Sequence, residues 1–323
     1  MKTFLRDLKN ELIKQNMNDD DIEDILRDHE EMIEEALRQG LREEDIHLRF
    51  GEPKALAREL AANSGKNVED DDDDEDQEDV DGYVHWKRVT PLDSSINASV
   101  SLVYEDIKYQ VSKDSDIHVY YEGTEKIKDY NFSYQNGELK LEAPKMKNFV
   151  FMRNKKEDMN FIIEIPKGLK IETLRHNSTS ADIEMVGISA NELALSTTSG
   201  DLELSKANFD LLKINTVSGD IEVLNVVAGQ VETSQVSGDL EMEKVTITGL
   251  FHAGTVSGDI SLTDTASGDA EFSCVSGDVE GVNFYPESIN FKSVSGDLSI
   301  KNSERKEIKL KKTSTLSGEI NIE

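Results

Sequence analysis

The chain is 323 residues long and carries 66 acidic against 36 basic side chains, a formal net charge of -30. A field of that sign repels nucleic acid and favours cationic or basic partners, so general nucleic-acid binding is not expected. Cys274 is the single cysteine, which leaves no intrachain disulfide to form. No apolar run approaches the roughly 18 residues of a membrane span.

The length suits about two domains. The first 16 residues, MKTFLRDLKNELIKQN, are charged at helical spacing and lack the apolar centre of a secretory signal, so the expected location is the cytosol. Phe4, Leu5, Leu8, Leu12 and Ile13 keep helical spacing, as do Ile22, Ile25, Leu26, His29, Met32, Ile33, Ala36 and Leu37. Asn18 or Asp19 caps the second helix, Gly40 ends it, and a third helix is expected over 43–50. Gly51 stops that helix and Pro53 opens a fourth, which runs to about residue 62. Residues 1–64 therefore read as a small helical bundle.

Residues 65–82 include VEDDDDDEDQEDVDG. Like charges this dense cannot bury a core, so an extended, solvated linker is expected, with cation buffering as the alternative. From Tyr83 the hydrophobic period changes to two. INASVSLVYEDIKYQVSKDSDIHVYYEG and NGELKLEA alternate, with Asn136-Gly137 as a hairpin turn, and NFIIEIPKG supplies a further strand.

The most informative signal is a phrase of the form VSGDIEV. Its serine recurs at Ser199, Ser218, Ser237, Ser257, Ser276, Ser295 and Ser317, with a worn copy at Ser180 and an off-register SGD at Ser267. A fixed period near 19 residues means stacked units. Read by parity, Val217, Gly219, Ile221 and Val223 point inward, as do Val236, Gly238, Leu240 and Met242, and Val294, Gly296, Leu298 and Ile300. An odd period cannot preserve strict alternation, so each unit contains at least one break, expected at Ser-Gly-Asp. The corner glycines are Gly200, Gly219, Gly238, Gly258, Gly277, Gly296 and Gly318. Each either leaves room at a sharp bend or supplies a backbone angle that other residues resist. The resulting architecture is an α+β multidomain chain: a small helical bundle (1–64), an acidic linker (65–82) and a parallel β-solenoid over 83–323. Its coils have about 19 residues and two or so strands each; a meander of hairpins is the alternative.

Stacking aligns Asp201, Asp220, Asp239, Asp259, Asp278 and Asp297, with Glu319 ending the row and Glu203, Glu222, Glu241 and Glu280 beside it. Unit charges about 4.8 Å apart repel by roughly 0.9 kcal/mol in water, so something must offset the row. Hydrogen bonds from backbone N–H groups at the same corner do so in the simplest reading. A low-affinity cation stripe on these aspartates is the weaker alternative. The histidines His29, His47, His85, His118, His176 and His252 show no ligand spacing, and Ser-Gly-Asp lacks the second glycine of a nucleophile elbow. Neither a catalytic residue nor a cofactor is expected.

Two resemblances follow from these residues. FLRDLKNELIK with DDIEDILRDHEEMIEEALRQGLREEDIHLRFGEPKALARELA resembles the HAAS-type helical domain of Gram-positive bacteria, through Phe4, Leu5, Gly40, Gly51, Glu52 and Pro53. Glu52 stands where that family commonly has aspartate. From about residue 95 the chain resembles a bacterial β-strand-repeat family of unknown function that carries an adhesin label. The phrases YEDIKYQVSKDSDIHVYYEG, NGELKLE, IIEIPKGLKIETL and the VSGD series carry that likeness. The resemblances imply envelope-linked signalling or stress response. The helical bundle is the better candidate for a protein-partner surface, because its exposed apolar stripe suits another amphipathic helix.

The expectation is thus a non-catalytic adaptor, cytoplasmic and near the membrane, with a surface adhesin as the rival class. The densest basic segment is Lys301, Arg305, Lys306, Lys309, Lys311 and Lys312. These residues guard a sheet edge, contact an anionic membrane peripherally, or draw the acidic linker back.

Overall fold

The computed structural model describes residues 2–14, single positions and short groups between 22 and 57, and residues 82–323 except 124, 145–158 and 305. Asn18, Asp19, Gly40, Gly51, Glu52, the helix expected over 43–50, the acidic run through residue 81 and Arg305 lie outside the described residues. The chain divides into two compact units, Met1–Glu75 and Asp76–Glu323.

In the first unit a helix, α1, spans Lys2–Lys14. Phe4, Leu8 and Leu12 fall four residues apart on one face and are buried, sharing a core with Ile22, Ile33 and Ala57. Ile13 has the spacing but not the face, and is 49% exposed.

The second unit is the solenoid. It begins with β1 (Val84–Val89), β2 (Ser95–Ser101), β3 (Asp106–Ser112), β4 (Ile117–Glu122), β5 (Asn131–Gln135) and β6 (Glu138–Glu142). β7 (Asn160–Pro166), β8 (Lys170–Asn177) and β9 (Ile183–Val186) follow. β2 and β3 open the parallel stack, by pairing with β8 and with β9. β4 lies antiparallel to both β1 and β7, and β5 antiparallel to β6. This first end is therefore closed by antiparallel strands, as a repeat array needs at a terminus. Asn136 and Gly137 both have positive φ, 52° and 73°, the combination a two-residue I′ hairpin requires.

The regular coils run through β10 (Ala190–Ser199), β11 (Leu202–Ser218) and β12 (Ile221–Ser237), each in parallel register with the next. β12 shows how a coil is divided. It pairs with three separate strands of the following coil, Leu240–Glu243, Thr246–Ile247 and Phe251–Ser257. Each coil has three straight runs, one more than the sequence pattern suggested. Three corners supply three breaks in alternation.

The first corner is Ser-Gly-Asp. The second holds one residue in the left-handed region, in turn Gly187, Lys206, Asn225, Lys244, Asp264 and Asn283, with φ between 48° and 74°. At the third, Gly249 and Gly268 stack on Gly229 and Gly249: an added Cβ would lie 2.8 and 2.6 Å from the carbonyl oxygen beneath. Ser267, the off-register phrase, belongs to this third corner. The coil that is 20 residues long takes its extra residue here too, since Ala228 pairs with Ile247 but Val231 with Phe251.

One expectation fails at the first corner. Val217, Val236 and Val294 point outward, each about half exposed, and so do Val256 and Val275. The alternation reverses within the corner itself. The inward set of one coil is Ile221, Val223, Val226, Ala228, Val231 and Thr233. Each large aliphatic chain in such a set contributes roughly 1.5–3 kcal/mol on burial, before chain entropy is charged against it. A single apolar core runs from Ile96 to Ile300. Within it Phe251 meets Phe272, and Phe272 meets Phe284, edge to face at 5.3 and 6.1 Å.

Candidate functional site

The corner glycines stand directly on one another. A Cβ built on Gly219 would lie 2.1 Å from the carbonyl oxygen of Gly200, and on Gly258 2.0 Å from that of Gly238. Gly277, Gly296 and Gly318 repeat the approach at 2.1, 2.1 and 2.2 Å on the preceding glycine of the row. Gly200 meets Ala181 and Gly238 meets Gly219 in the same manner. Backbone proximity between coils is thus the shared requirement. A left-handed φ is added only at Gly200, Gly219 and Gly238.

The aspartates form a second row, and its bonding differs from the local turn bond expected. The Oδ1 of Asp201 accepts the N–H of Asp220 at 2.9 Å, and that of Asp220 accepts the N–H of Asp239 at 2.8 Å. The same bond joins Asp239 to Asp259, Asp259 to Asp278, Asp278 to Asp297 and Asp297 to Glu319. Upstream, Asp106 receives Asp182 and Asp182 receives Asp201. Each carboxylate holds the backbone of the next coil rather than its own. Charge-assisted bonds of about 1.5–3 kcal/mol outweigh a repulsion near 1 kcal/mol per neighbour. The parallel glutamate row is in register from Glu184 through Glu203, Glu222 and Glu241, then broken by Ser261 before Glu280.

Behind the corner lies an interior row, Thr197, Thr216, Gln235, Thr255 and Cys274. Burial pushes the Cys274 thiol up to about 11, with Asp259 and Asp278 adding to it. Near the start of the aspartate row a groove of about 350 Å³ runs between Tyr83, Asp106, Asp182, Asp201, Glu184 and Glu203. Lys108 lies in it and pairs with Glu184 at 2.8 Å.

A different polar cluster sits on the antiparallel end, where two of the scattered histidines, His85 and His118, come together. In register across the strands lie Arg88 of β1, His118 of β4, Glu164 of β7 and Gln110 of β3. The Nε2 of His118 is 3.0 and 3.1 Å from the two carboxylate oxygens of Asp114, and its Nδ1 is 3.0 Å from the Nε2 of His85. Arg88 Nε donates to Asp116 at 2.6 Å. The N–H of Asp116 and the hydroxyl of Ser112 both donate to Asp114. These bonds, the Asp116 N–H first and the His118 ring next, hold the Asp114 carboxyl down at about 2. Burial and the neighbouring His118 and Arg88 lower His85 below its ordinary value, against Glu164. The available signal was DSDIH, Asp114 to His118, which sets two carboxylates within four residues of an imidazole. His176 is placed elsewhere: fully buried, it meets the Tyr109 hydroxyl at 2.8 Å, and burial lowers it to about 3.

Of the basic segment, Lys311 pairs with Asp269 at 2.8 Å, and Lys306 with Glu304 at 3.2 Å while lying over the Tyr285 ring. Lys309 and Lys312 are exposed on the strand Lys309–Ser314, without an ion-pair partner among the described residues.

A parallel solenoid with glycine and aspartate rows at one corner defines the class: a β-strand-repeat scaffold. The chain belongs to the Toastrack DUF4097 family, whose profile matches residues 96–280 and 251–323. Residues 3–59 match the HAAS family. Among solved structures, one described as a "Putative lipid binding protein" from Parabacteroides distasonis is similar, with a TM-score of 0.54 and 16% identity. The match covers 73% of this chain and 96% of that one. A "putative adhesin" from Bacteroides fragilis aligns at a TM-score of 0.47 and 16% identity, over 73% of this chain and 95% of its own. The first likeness supports the fold. Comparison with curated proteins gives no match.

Proposed function

We propose that this chain is a non-catalytic interaction scaffold in cell-envelope-linked regulation. In this reading its HAAS-matching unit takes a protein partner and its solenoid serves as a stiff platform on the cytoplasmic side of the membrane. The observation that supports it most is the fate of the repeated aspartates: they are engaged in holding the next coil. The repeat is then accounted for as architecture. Ile13 marks where α1 offers an apolar side chain outward, the kind of contact a second amphipathic helix uses. Lys309 and Lys312 are where the platform would meet anionic lipid.

A photo-crosslinking residue at position 13 of the full chain, expressed in its native cells, tests this. One discrete protein adduct, with the protein retained inside protoplasts, supports the adaptor. No adduct at position 13 in correctly folded protein removes the partner role of the helical unit. The rival reading is a surface adhesin, favoured by the row Val217, Val236, Val256, Val275 and Val294, which offers a continuous apolar stripe on the outside. Recovery of the protein on the outer cell surface would establish that reading instead.

A further inference from the structure

The cluster on the antiparallel end carries an inference independent of the scaffold reading. One donor atom each from Asp114, Asp116 and His118 lie within 4.8 Å of one another, the one such group of three or more among the described residues. The geometry points to a binding site for a first-row divalent ion, zinc or cobalt(II) in class, held by Asp114, Asp116 and the Nε2 of His118, with His85 orienting the ligating imidazole.

Four observations carry it. The ligand atoms need only close by an ångström or so to reach the roughly 2.0–2.2 Å bonds of such an ion. The His118 side chain is only 11% exposed, and its second nitrogen already faces His85 at 3.0 Å. A ligating histidine needs that outer bond to fix its tautomer and ring plane. Asp114 is locked by the Asp116 N–H and the Ser112 hydroxyl, so its carboxylate is placed before any ion arrives. Two carboxylates, those of Asp114 and Asp116, converge on the Arg88 guanidinium, at 4.0 and 2.6 Å. One imidazole with two carboxylates suits an ion of borderline softness, better than calcium or copper(I).

Entry is through the exposed side of Asp114 and Arg88, whose side chains are 46% and 61% exposed. The ion would take the Nε2 lone pair of the neutral Nδ1–H tautomer of His118, whose Nδ1–H then donates to His85 Nε2. Arg88 is the competitor, because its Nε occupies Asp116. Bound metal would tie the turn at 113–116 to β4 and, through His85, to the edge strand β1.

The test is a cobalt(II) titration of the metal-free full chain, read by visible ligand-field absorption and by calorimetry. One equivalent is expected with intense bands of an imidazole-containing, low-coordinate site. The acidic run before residue 82 offers only oxygen donors and gives weak octahedral absorption, so the two are separable. Asp114→Asn, at an exposed position, should weaken binding at least tenfold, and His118→Ala should abolish the intense bands. His85→Phe should weaken binding about 10–100-fold. Arg88→Gln should tighten binding roughly five- to tenfold, by removing a partly exposed competing ion pair. Weak octahedral absorption alone in the wild-type chain overturns the site, as do intense bands that survive Asp114→Asn and His118→Ala. Unchanged or weaker binding in a folded Arg88→Gln variant also overturns it.

Discussion

Replacing Gly258 by alanine isolates the demand that stacking places on the corner. A Cβ there would stand 2.0 Å from the carbonyl oxygen of Gly238, where real Cβ atoms essentially never come within 3.0 Å. The coils must therefore part locally by about an ångström, or the corner must turn away. Two hydrogen bonds flank the contact, Asp259 N–H to Asp239 Oδ1 at 2.8 Å and Leu240 N–H to Asp259 C=O at 2.9 Å. Stretched by about an ångström, both fall outside hydrogen-bonding range. Each lost bond costs about 1–2 kcal/mol, so the substitution should destabilise the solenoid by about 2–4 kcal/mol. The φ of Gly258 lies outside the left-handed region, so dihedral strain adds little. Gly168→Ala is the control: an added Cβ there meets nothing within 4 Å, and the expected change is near zero or slightly stabilising. Urea unfolding followed by far-UV circular dichroism gives both values, and amide exchange at Leu240 and Asp259 localises the effect. If the two variants agree within about 0.5 kcal/mol, the close-approach argument fails.

The aspartate row yields a contrast between two substitutions. Asp239→Ala removes the acceptor of the Asp259 N–H and should cost about 1–2 kcal/mol in the same unfolding assay, whereas Asp239→Asn keeps an oxygen there and relieves like charge, so it should be nearly neutral. Acid lability follows from His176, which is neutral in the fold down to about 3 against an ordinary 6.5. The unfolded chain binds that proton first, so stability is complete above about pH 6.5 and falls as pH drops toward 3, by at most roughly 5 kcal/mol. Unfolding curves across that window check it, and His176→Gln should flatten the slope. Cys274, buried with its thiol raised from 9.0 to about 11, should react with a thiol reagent near pH 8 about 100-fold more slowly than in urea.

What was legible in the sequence is what recurs as identity. Ser-Gly-Asp is repeated because the glycine site tolerates no side chain and the aspartate serves the neighbouring backbone, so the first corner, the period and the solenoid all show. The second corner asks only for a left-handed backbone angle. Asn225, Asn283, Asp264 and Gly187 favour that angle, but Lys206 and Lys244 adopt it too, and no common letter marks the place. The third corner has glycine at Gly229, Gly249 and Gly268 but not at Asp210, from whose carbonyl oxygen a Cβ built on Gly229 would lie 2.5 Å. Alternation was extended through the first corner, where the chain turns, and this sent Val217 and its equivalents to the wrong face. The His85–His118 contact was invisible because it joins residues 33 apart through antiparallel strands at the capped end, outside the repeat. The DSDIH spacing held half of that cluster in view.

The central claim is that equivalent residues of successive coils lie directly above one another. Nitroxide labels on Ser218, Ser237 and Ser257, in a Cys274→Thr background, test it in one spectrum, because these serines are exposed register partners. Spins stacked about 4.8 Å apart undergo exchange, and the triple-labelled chain should give a single exchange-narrowed line. A three-line spectrum like that of the singly labelled protein would contradict the stack.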